Sequence, residues 1–478
     1  MWYLYGLLAF LFIAGLAFHF SNPYARINYF EAPYRAYVDD AGIMRVRQVY
    51  RLRVYVSSAA SWLGYIKSGF LILQNTFFGS RPASGETAEA IIADIHRQRF
   101  DAALPYLISG DQFSVLYPRN LGVFYNQLLD PNTALDATDW LARQQVYLQS
   151  ALIAIDGLSA GNKPRTTIVP IGRRSALLTQ VHPGGTGSDQ VYGLFYALDQ
   201  LRTPAQSNNG AYRRVTMQAT EQTIAERQVQ LQHIYDTYLE HVYHEESAAV
   251  HAERHLSSAR DGVVRFSSLY DNIVLVATVR LARHMGLKDA LPQDLSVMTR
   301  ALKDRYWNKK QGYYNDDLRH NHFSSDWLLG FVTGFFDLKN KEDLERTKRV
   351  IAYIQTHGLA DPLPIRYQAH PGQHVPYFVK LAAPTYGGSA IWSYWGAQYI
   401  TLLCDMYHAS RDRSYLALAK TYIETYQKCI VRDKGFAETF DDTGNFLRTT
   451  LYKSIRVTGW VVQFEHAVYT YRQLAKNP

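Results

Sequence analysis

The stretch Gly435-Phe-Ala-Glu-Thr-Phe-Asp-Asp-Thr-Gly444 decides how this chain is interpreted. It sets Glu438 among apolar and aromatic neighbours and follows it with an Asp-Asp-x-Gly turn. Burial of an unpaired carboxylate is costly, so such a glutamate is either satisfied by a buried partner or kept for chemistry. We expect Glu438 to be half of a catalytic pair whose other half lies upstream, and Asp441 and Asp442 to form the turn that presents it.

The composition bounds the class of protein. A chain of 478 residues forms one large domain or two ordinary ones. It contains 36 Tyr, 22 Phe and 8 Trp, and such rings serve either as platforms for sugars, bases or lipid or as a simple compositional bias. The net charge is +8 without a long basic run, so nucleic-acid binding is not expected, whereas a mildly basic surface suits an anionic cell envelope.

The N-terminus predicts a membrane anchor at residues 1–21. Trp2 to Phe20 contains no charged residue and is long enough to span a bilayer. Because a basic leading region and a small-x-small cleavage site are both missing, we expect an uncleaved, single-pass anchor. Arg26 and Arg35 after the span favour a cytoplasmic C-terminal side, but a polysaccharide-processing domain would face outward. Of these opposed arguments we favour the extracytoplasmic face.

Residues 22–84 are predicted to be a juxtamembrane region. Met44 to Val56 alternates arginine with apolar residues, which is typical of a strand. Val54 to Phe78 is apolar with interruptions and is compatible with an amphipathic helix packed on the membrane or on the domain. Ser80 to Glu86 is a break, so the main domain is placed at residues 85–478.

The main domain is predicted to be all-α, an (α/α)6 toroid with a small β-hairpin insertion at Arg165–Val181. Helical spacing recurs through it, with short loops alternating with long polar and aromatic loops. The predicted helices span Thr87–Leu107, Asp139–Ile155, Ser188–Leu201, Thr216–His244, Asp271–Met285, Leu295–Tyr306, Asp326–Phe336, Lys341–Thr356, Ser389–Tyr407, Arg413–Cys429 and Ser454–Leu474. A count of eleven or twelve helices suits two concentric rings of six, and a generic all-α array is the alternative.

Several kinds of site are not predicted. Neither a phosphate-binding glycine loop nor a Gly-x-Ser-x-Gly elbow occurs in the sequence. His320-Asn-His322 has no neighbouring carboxylate or cysteine that would complete a metal site, and Cys404 and Cys429 are expected to be buried thiols. No metal or other cofactor is therefore expected.

Carboxylates set among aromatic residues remain as candidates. Asp271 follows Ser-Leu-Tyr at the start of an apolar helix, so it is either a helix cap or an acid offered to a ligand. Asp326, before Trp327, is interpreted first as a cap and second as an acid. Trp392 and Trp395 lie on nearby faces of one helix and could stack on sugar rings or form part of the core.

The order of these segments resembles the six-hairpin glycosidase superfamily, which includes glucoamylase, trehalase, neutral invertase and glycogen-debranching enzymes. The similar segments are Ser-Leu-Tyr-Asp271-Asn-Ile-Val-Leu, Ala390-Ile-Trp-Ser-Tyr-Trp-Gly-Ala and Phe-Ala-Glu438-Thr-Phe-Asp. The resemblance covers residues 85–475 as architecture and is specific in motif near 265–285, 385–400 and 435–460.

This resemblance implies a site and a reaction. Asp271 would be the general acid and Glu438 the general base of an inverting hydrolase. The implied substrate-binding residues are Tyr117, Arg119, Asn120, Tyr270, Asp326, Trp327, Tyr386, Trp392 and Trp395. Asn120 stands where many relatives have the aspartate of an Arg-Asp pair.

The sequence thus predicts a monomeric, membrane-anchored glycoside hydrolase acting on an α-linked or cell-envelope oligo- or polysaccharide. One alternative is a six-hairpin scaffold that binds a glycan or an envelope partner without catalysis. Another is a toroid for a different reaction such as sugar epimerisation, for which the candidate histidines are His320, His322, His370 and His374.

Overall fold

The chain is rich in helix. The computed structural model describes residues 36–38, 44–46, 70–79, 81–100, 106–110, 115–160, 164, 166–171, 175–179, 186–202, 210–252, 256, 258–260, 263, 265–289, 291, 293–369 and 381–476. Its α-helices are α1 (Ala88–Arg99), α2 (Pro118–Gly122), α3 (Ala137–Ser159), α4 (Gln190–Arg202), α5 (Gly210–Glu226), α6 (Gln228–Val242), α7 (Leu269–His284), α8 (Leu295–Tyr306), α9 (Leu329–Val332), α10 (Lys341–Thr356), α11 (Ser393–Ser410), α12 (Arg413–Asp433) and α13 (Val461–Lys476). Residues 70–78 are also helical.

Local sequence signals explain where most helices begin and end. Asn340 and Asp412 cap α10 and α12 by accepting hydrogen bonds from backbone N–H groups of the first turn. Predicted and observed bounds agree for α8 and α10. The predicted helix 216–244 is divided at Arg227 into α5 and α6. The predicted helix 326–336 is instead a 3₁₀ turn, Ser325–Leu328, followed by the single turn α9.

The strands form short antiparallel pairs. The predicted hairpin is confirmed: β3 (Thr167–Ile171) pairs with β4 (Ser175–Thr179). β1 (Ala36–Val38) pairs with β2 (Met44–Val46), which lies in the segment expected to be extended. The remaining strands are β5 (Tyr243–His244), β6 (Ala249–Val250), β7 (Trp307–Asn308), β8 (Tyr313–Tyr314), β9 (Ile391–Trp392) and β10 (Thr439–Phe440). The pairing of β9 with β10 matters most, because it joins two segments singled out in the sequence.

The helices contact one another in a succession that returns to its start. α2 packs on α4, α4 on α7, and α7 on the 3₁₀ turn and α9. The 3₁₀ turn packs on α11, and α11 packs on α13. From α13, Gln463 donates hydrogen bonds to Phe124 O at 3.3 Å and to Asn126 Oδ1 at 2.5 Å, just after α2. Other helices pack against this succession: α12 contacts α11, and α3 contacts α4. These outer helices also contact further helices, α12 packing on α1 and α3 on α6.

Aromatic side chains fill the space between these elements. The Trp460 ring lies between Phe124, with ring centroids 4.5 Å apart, and Trp392, with centroids 6.0 Å apart. Tyr394 contacts Trp460 edge-on, and all four side chains are buried. Much of the tyrosine, phenylalanine and tryptophan is therefore core, where large rings provide extensive apolar contact area. Cys404 and Cys429 are buried free thiols, as expected.

The predicted membrane anchor lies outside the described residues. Within the described ranges, no helix has the length and the apolar character needed to cross a bilayer. His370 and His374 also lie outside these ranges.

Candidate functional site

Glu438 is fixed in place by backbone hydrogen bonds on both sides. It directly precedes β10, and its carbonyl accepts a hydrogen bond of 3.1 Å from the N–H of Ser393, where β9 leads into α11. Its own N–H donates to the carbonyl of Ile455 at 2.8 Å. The turn after it forms as predicted: Asp441 Oδ1 accepts from the N–H groups of Thr443 and Asn445. Glu438 is thus positioned by the paired strands β9 and β10.

The carboxylate of Glu438 lies in a cage of hydroxyl groups. Oε1 accepts a hydrogen bond from the Tyr386 hydroxyl at 3.0 Å. Oε2 accepts one from the Tyr452 hydroxyl at 3.1 Å, with longer contacts of 3.5 Å from Ser454 Oγ and Ile455 N. The residue is 2% exposed. Burial raises the pKa of Glu438, the hydrogen bonds from Tyr386 and Tyr452 act in the opposite direction, and the net shift is upward.

Asp271 lies in the first turn of α7, but it is not the cap. Ser268 is the N-cap, and its hydroxyl accepts the N–H of Asp271 at 3.0 Å. The same hydroxyl lies 2.6 Å from Asp271 Oδ2, while Ser188 Oγ donates to Oδ1 at 2.6 Å. The cap interpretation is therefore corrected, because the capping role belongs to Ser268. Among the described residues, the Asp271 carboxyl accepts hydrogen bonds from side-chain hydroxyls and from no backbone N–H group.

Burial raises the pKa of Asp271 above its ordinary value. The charge of Arg265 and the hydrogen bonds from Ser188 and Ser268 lower it, and the charge of Asp326 raises it, with an upward net shift. No basic nitrogen forms an ion pair with Asp271 or Glu438 in the described part of the chain. Each is a buried carboxyl group whose protonation is easier than in water.

Arg260 and Arg265 form ion pairs with carboxylates other than Asp271 and Glu438. Arg265 Nη1 lies 2.9 Å from Asp316 Oδ1 and 2.5 Å from Asp326 Oδ2. Arg260 Nη1 lies 2.9 Å from the other oxygen of Asp316. Although burial raises the pKa of Asp316, Arg265, His322 and Arg260 lower it, and the net position is well below the usual range. These groups form a buried, ionised cluster.

Tyr367 connects the Asp271 region with the Glu438 cage. Its hydroxyl donates to Asp326 Oδ2 at 3.2 Å, and its ring lies 5.7 Å from the ring of Trp392. Trp392 in turn contacts Tyr386, with centroids 4.8 Å apart, and Tyr386 donates to Glu438. The Arg260 guanidinium stacks over Tyr367 and donates to the carbonyl of Gly387 at 3.0 Å. A continuous set of contacts therefore links the Glu438 cage with Asp326, whose charge acts on Asp271.

The other residues implied by the resemblance are all buried or nearly so. Asp326 accepts hydrogen bonds from Arg265, Ser324 and Tyr367 and not from backbone N–H groups, so the cap interpretation is corrected here too. Trp327 and Trp395 are 1% exposed, and Trp392 is 5% exposed with its indole N–H donating to Tyr386 O. Their roles in substrate binding stay a prediction.

The segment Tyr117–Asn120 leads into and forms α2. Arg119 lies over the Tyr117 ring, its Nη1 donates to the carbonyl of Ser258 at 2.7 Å, and its backbone N–H donates to Gln190. The Asn120 amide donates to Ser109 Oγ at 2.5 Å. Next to this segment, Tyr270 donates to Asp189 at 2.9 Å. These polar side chains face protein partners, and sugar binding by them stays a prediction.

The two candidate histidines within the described ranges pair with carboxylates of the loop that precedes them. His320 Nδ1 lies 2.8 Å from Asp317, and His322 Nε2 lies 3.2 Å from Asp316. Sequence reasoning missed this loop, although Tyr313-Tyr-Asn-Asp-Asp317 repeats the pattern of carboxylates after aromatic residues that singled out Glu438. It also missed Arg260, Tyr367 and Tyr452.

Known proteins match this chain in structure but not in family profile or curated sequence. No protein-family profile and no curated protein sequence matches the chain. Similar solved structures include glucoamylase from Hormoconis resinae, at 12% identity and TM-score 0.49, with 86% of this chain and 74% of that chain covered. Another is glucoamylase from Saccharomycopsis fibuligera, at 9% identity and TM-score 0.49, with 83% of this chain and 99% of that chain covered. A third is the GH63 mannosylglycerate hydrolase from Thermus thermophilus in complex with glucose, at 11% identity and TM-score 0.48, with 81% and 100% covered. The solved structures to which the chain is similar thus include two glucoamylases and a GH63 mannosylglycerate hydrolase.

Proposed function

We propose that this protein is a glycoside hydrolase in which Asp271 is the general acid and Glu438 the general base. The observation that carries the proposal is the pair itself: two buried carboxyl groups without ion pairs among the described residues, both with a raised pKa. Hydrolysis of a glycosidic bond needs one protonated carboxylic acid and one carboxylate. Neighbouring carboxylates that are neutralised by arginine, such as Asp316, are poorly suited to either role.

The two environments support different roles. Burial raises the pKa of Asp271, and the charge of Asp326 adds to this rise, while Arg265 and the hydrogen bonds from Ser188 and Ser268 lower the pKa. The net upward shift favours the protonated form that a general acid needs. Glu438 accepts hydrogen bonds from Tyr386 and Tyr452, which favour the ionised form needed to activate water. Asp271 would protonate the leaving oxygen while Glu438 takes a proton from the attacking water. We propose inversion at the anomeric carbon.

The proposed architecture is an (α/α)6 toroid. The returning succession of contacts through α2, α4, α7, the 3₁₀ turn with α9, α11 and α13 would be its inner ring. Asp271 lies in the first turn of α7, Tyr386 lies before α11, and Glu438 lies between α12 and α13. This placement supports a common end of the ring as the site, with aromatic side chains around it.

The proposed substrate is an α-linked or cell-envelope glycan, handled by a protein held to the membrane through residues 1–21. Aromatic side chains near Glu438 and the net charge of +8 support a sugar polymer of an anionic envelope. Carbonate extraction of membranes from cells that express the full chain tests the anchor. Protein released by carbonate would contradict it, and added protease distinguishes the two faces.

Hydrolysis assays test the catalytic proposal. A panel of α-linked and envelope glycans is incubated with the native protein, with Asp271→Asn and with Glu438→Gln, and release of reducing sugar is followed. Each variant should lose about a thousandfold in kcat for the glycan that is cleaved. A control, Glu424→Gln, changes a carboxyl on α12 whose side chain is 54% exposed, and it should keep full activity. NMR of the first product should show the inverted anomer. The proposal fails if both catalytic-carboxyl variants stay active.

A glycan-binding scaffold without catalysis is the second candidate. It is favoured by one observation, that both oxygens of Asp271 are already occupied by serine hydroxyls at 2.6 Å. Calorimetry with the same glycans separates the two candidates. Binding without product, equally strong in Glu438→Gln, would favour the scaffold.

A further inference from the structure

The helix at residues 70–78 combines a buried polar side chain with an exposed apolar face. Its one fully buried side chain is the polar Asn75, at 5% exposed. Its exposed face carries Phe70, Phe77 and Phe78, which are 53%, 71% and 86% exposed. Isolated exposed apolar residues are ordinary, but three exposed phenylalanines within nine residues of one helix indicate a surface that is covered by something apolar.

Asn75 fastens this helix to the domain. Its side-chain amide donates hydrogen bonds to the carbonyls of Lys453 at 2.8 Å and Ser454 at 3.4 Å. The phenylalanines are therefore held outward by a specific polar contact on the other face. An apolar face turned to solvent in this way loses the stabilisation that burial would give, unless a partner supplies it.

A cationic side chain, Lys453, lies beside the end of the same helix, and the charges of two arginines act on it. The ammonium group of Lys453 is next to Gly79, where a Cβ atom would lie 2.8 Å from Nζ. Arg448 is exposed, Arg456 is partly buried against the Phe446 ring, and neither has a carboxylate partner within the described ranges. Burial lowers the pKa of Lys453, and the charges of Arg456 and Arg448 lower it further. Clustered cations without acidic partners favour an anionic ligand.

We propose that Phe70, Phe77 and Phe78, together with Arg448, Lys453 and Arg456, form a docking surface for an anionic lipid bilayer. This set is named the lipid-docking face. Aromatic side chains enter the boundary between headgroups and acyl chains, and basic side chains at their edge are attracted to anionic headgroups. The uncharged segment Trp2 to Phe20, N-terminal to this helix, supports the same occupant, since it would bring a bilayer close.

The lipid-docking face is adjacent to the Glu438 cage. Lys453 lies between Tyr452 and Ser454 in the sequence, and both of these residues contact Glu438. Asn75 binds the backbone of this same segment. The lipid surface would thus fix the orientation of the domain and place the Glu438 side close to the membrane.

Fluorescent labelling of the full chain tests this proposal. Phe77→Cys carries an environment-sensitive dye, and Val229→Cys, at a position 84% exposed on α6, carries it as the matched control. The native cysteines are buried and should not compete for the dye. Both proteins are reconstituted into nanodiscs of phosphatidylcholine alone or mixed with phosphatidylglycerol. We expect a blue shift and protection from an aqueous quencher only for the label at 77 and only with phosphatidylglycerol.

Charge variants and salt complete the test. Arg448→Gln should lower the ratio of docked to undocked protein about fivefold at low salt. In the native protein, high salt should release the lipid-docking face from the bilayer. Circular dichroism confirms that each variant is folded, and Phe78→Ser gives an independent second variant. Equal protection in both lipids, protection by inorganic phosphate, or protection in detergent that rises with protein concentration would each overturn the proposal. The last result would indicate a second copy of the chain as the occupant.

Discussion

The hydroxyl of Tyr386 donates a hydrogen bond of 3.0 Å to Oε1 of Glu438, although 52 residues separate them in the chain. Tyr386 is itself packed against Trp392, which belongs to the strand that pairs with the strand after Glu438. The same short sheet therefore fixes both the proposed base and one of its hydrogen-bond donors.

Removal of this hydroxyl should change the pH dependence of hydrolysis. In Tyr386→Phe the ionised form of Glu438 loses a donor, so the pKa of Glu438 should rise further. Because a general base must be ionised, the acidic limb of the kcat/KM profile should move to higher pH. At the low-pH end of that limb, kcat/KM should be about tenfold lower than in the native protein. A pH–rate profile of both proteins measures this shift. Tyr415→Phe, on α12, is the control, and a profile unchanged by Tyr386→Phe would contradict the role of Glu438 as base.

Arg265 should be important for stability because it is shared by two buried carboxylates. Arg265→Met leaves Asp316 and Asp326 short of positive charge and should lower the free energy of unfolding by about 3 kcal/mol. Urea denaturation measures the change. Arg283→Met removes a partly exposed ion pair with Asp289 and should cost less than about 1 kcal/mol. The double variant Arg265→Met with Asp326→Asn should lose less than the sum of the two single variants. Additive losses would show that the pair is not coupled.

Asn75 should hold the helix at residues 70–78 against the Glu438 cage. Asn75→Ala removes the donor to the carbonyls of Lys453 and Ser454 and should destabilise the protein by about 1–2 kcal/mol. Gln74→Ala, an exposed neighbour on the same helix, controls for helix propensity and should change stability by about 0.5 kcal/mol at most. Limited proteolysis near residue 79 provides a local readout. Equal behaviour of the two variants would rule out the fastening role.

His96 should make stability depend on pH near neutrality. Burial and the Arg143 guanidinium, whose Nη2 lies 2.5 Å from Nδ1, lower the pKa of His96. The carboxylates of Asp139 and Glu465 raise it, and the net shift is upward. A raised pKa in the folded state stabilises the protein fully below the unfolded value, about 6.5, and this contribution disappears as the pH rises through the folded value. Unfolding measured across neutral pH should therefore show a fall in stability with rising pH. His96→Gln should flatten that fall, and the exposed His357→Gln should not.

Periodicity and turn chemistry in the sequence determined much of the secondary structure. The bounds of α8 and α10, the β3–β4 hairpin and the Asp441 turn follow from local signals such as helix spacing, caps and glycine with positive φ, as at Gly444. The same signals failed for residues 326–336. Asp326 forms an ion pair with Arg265, and the segment forms a 3₁₀ turn and one α-helical turn instead of a continuous helix.

The unusual surroundings of Glu438 and Asp271 were also visible in the sequence, since a carboxylate among apolar residues is recognisable one residue at a time. Their partners were not visible. Ser188 lies 83 residues from Asp271, and Arg260 lies 56 residues from Asp316. Which hydroxyl or guanidinium meets which carboxylate depends on the packing of distant helices.

The direction of Asn75 and of the phenylalanines around it likewise follows from the backbone of residues 453 and 454, which local sequence does not encode. The local sequence therefore determined which ionisable residues are buried. Tertiary structure alone decided how each charge is compensated, because the compensating groups come from remote parts of the chain.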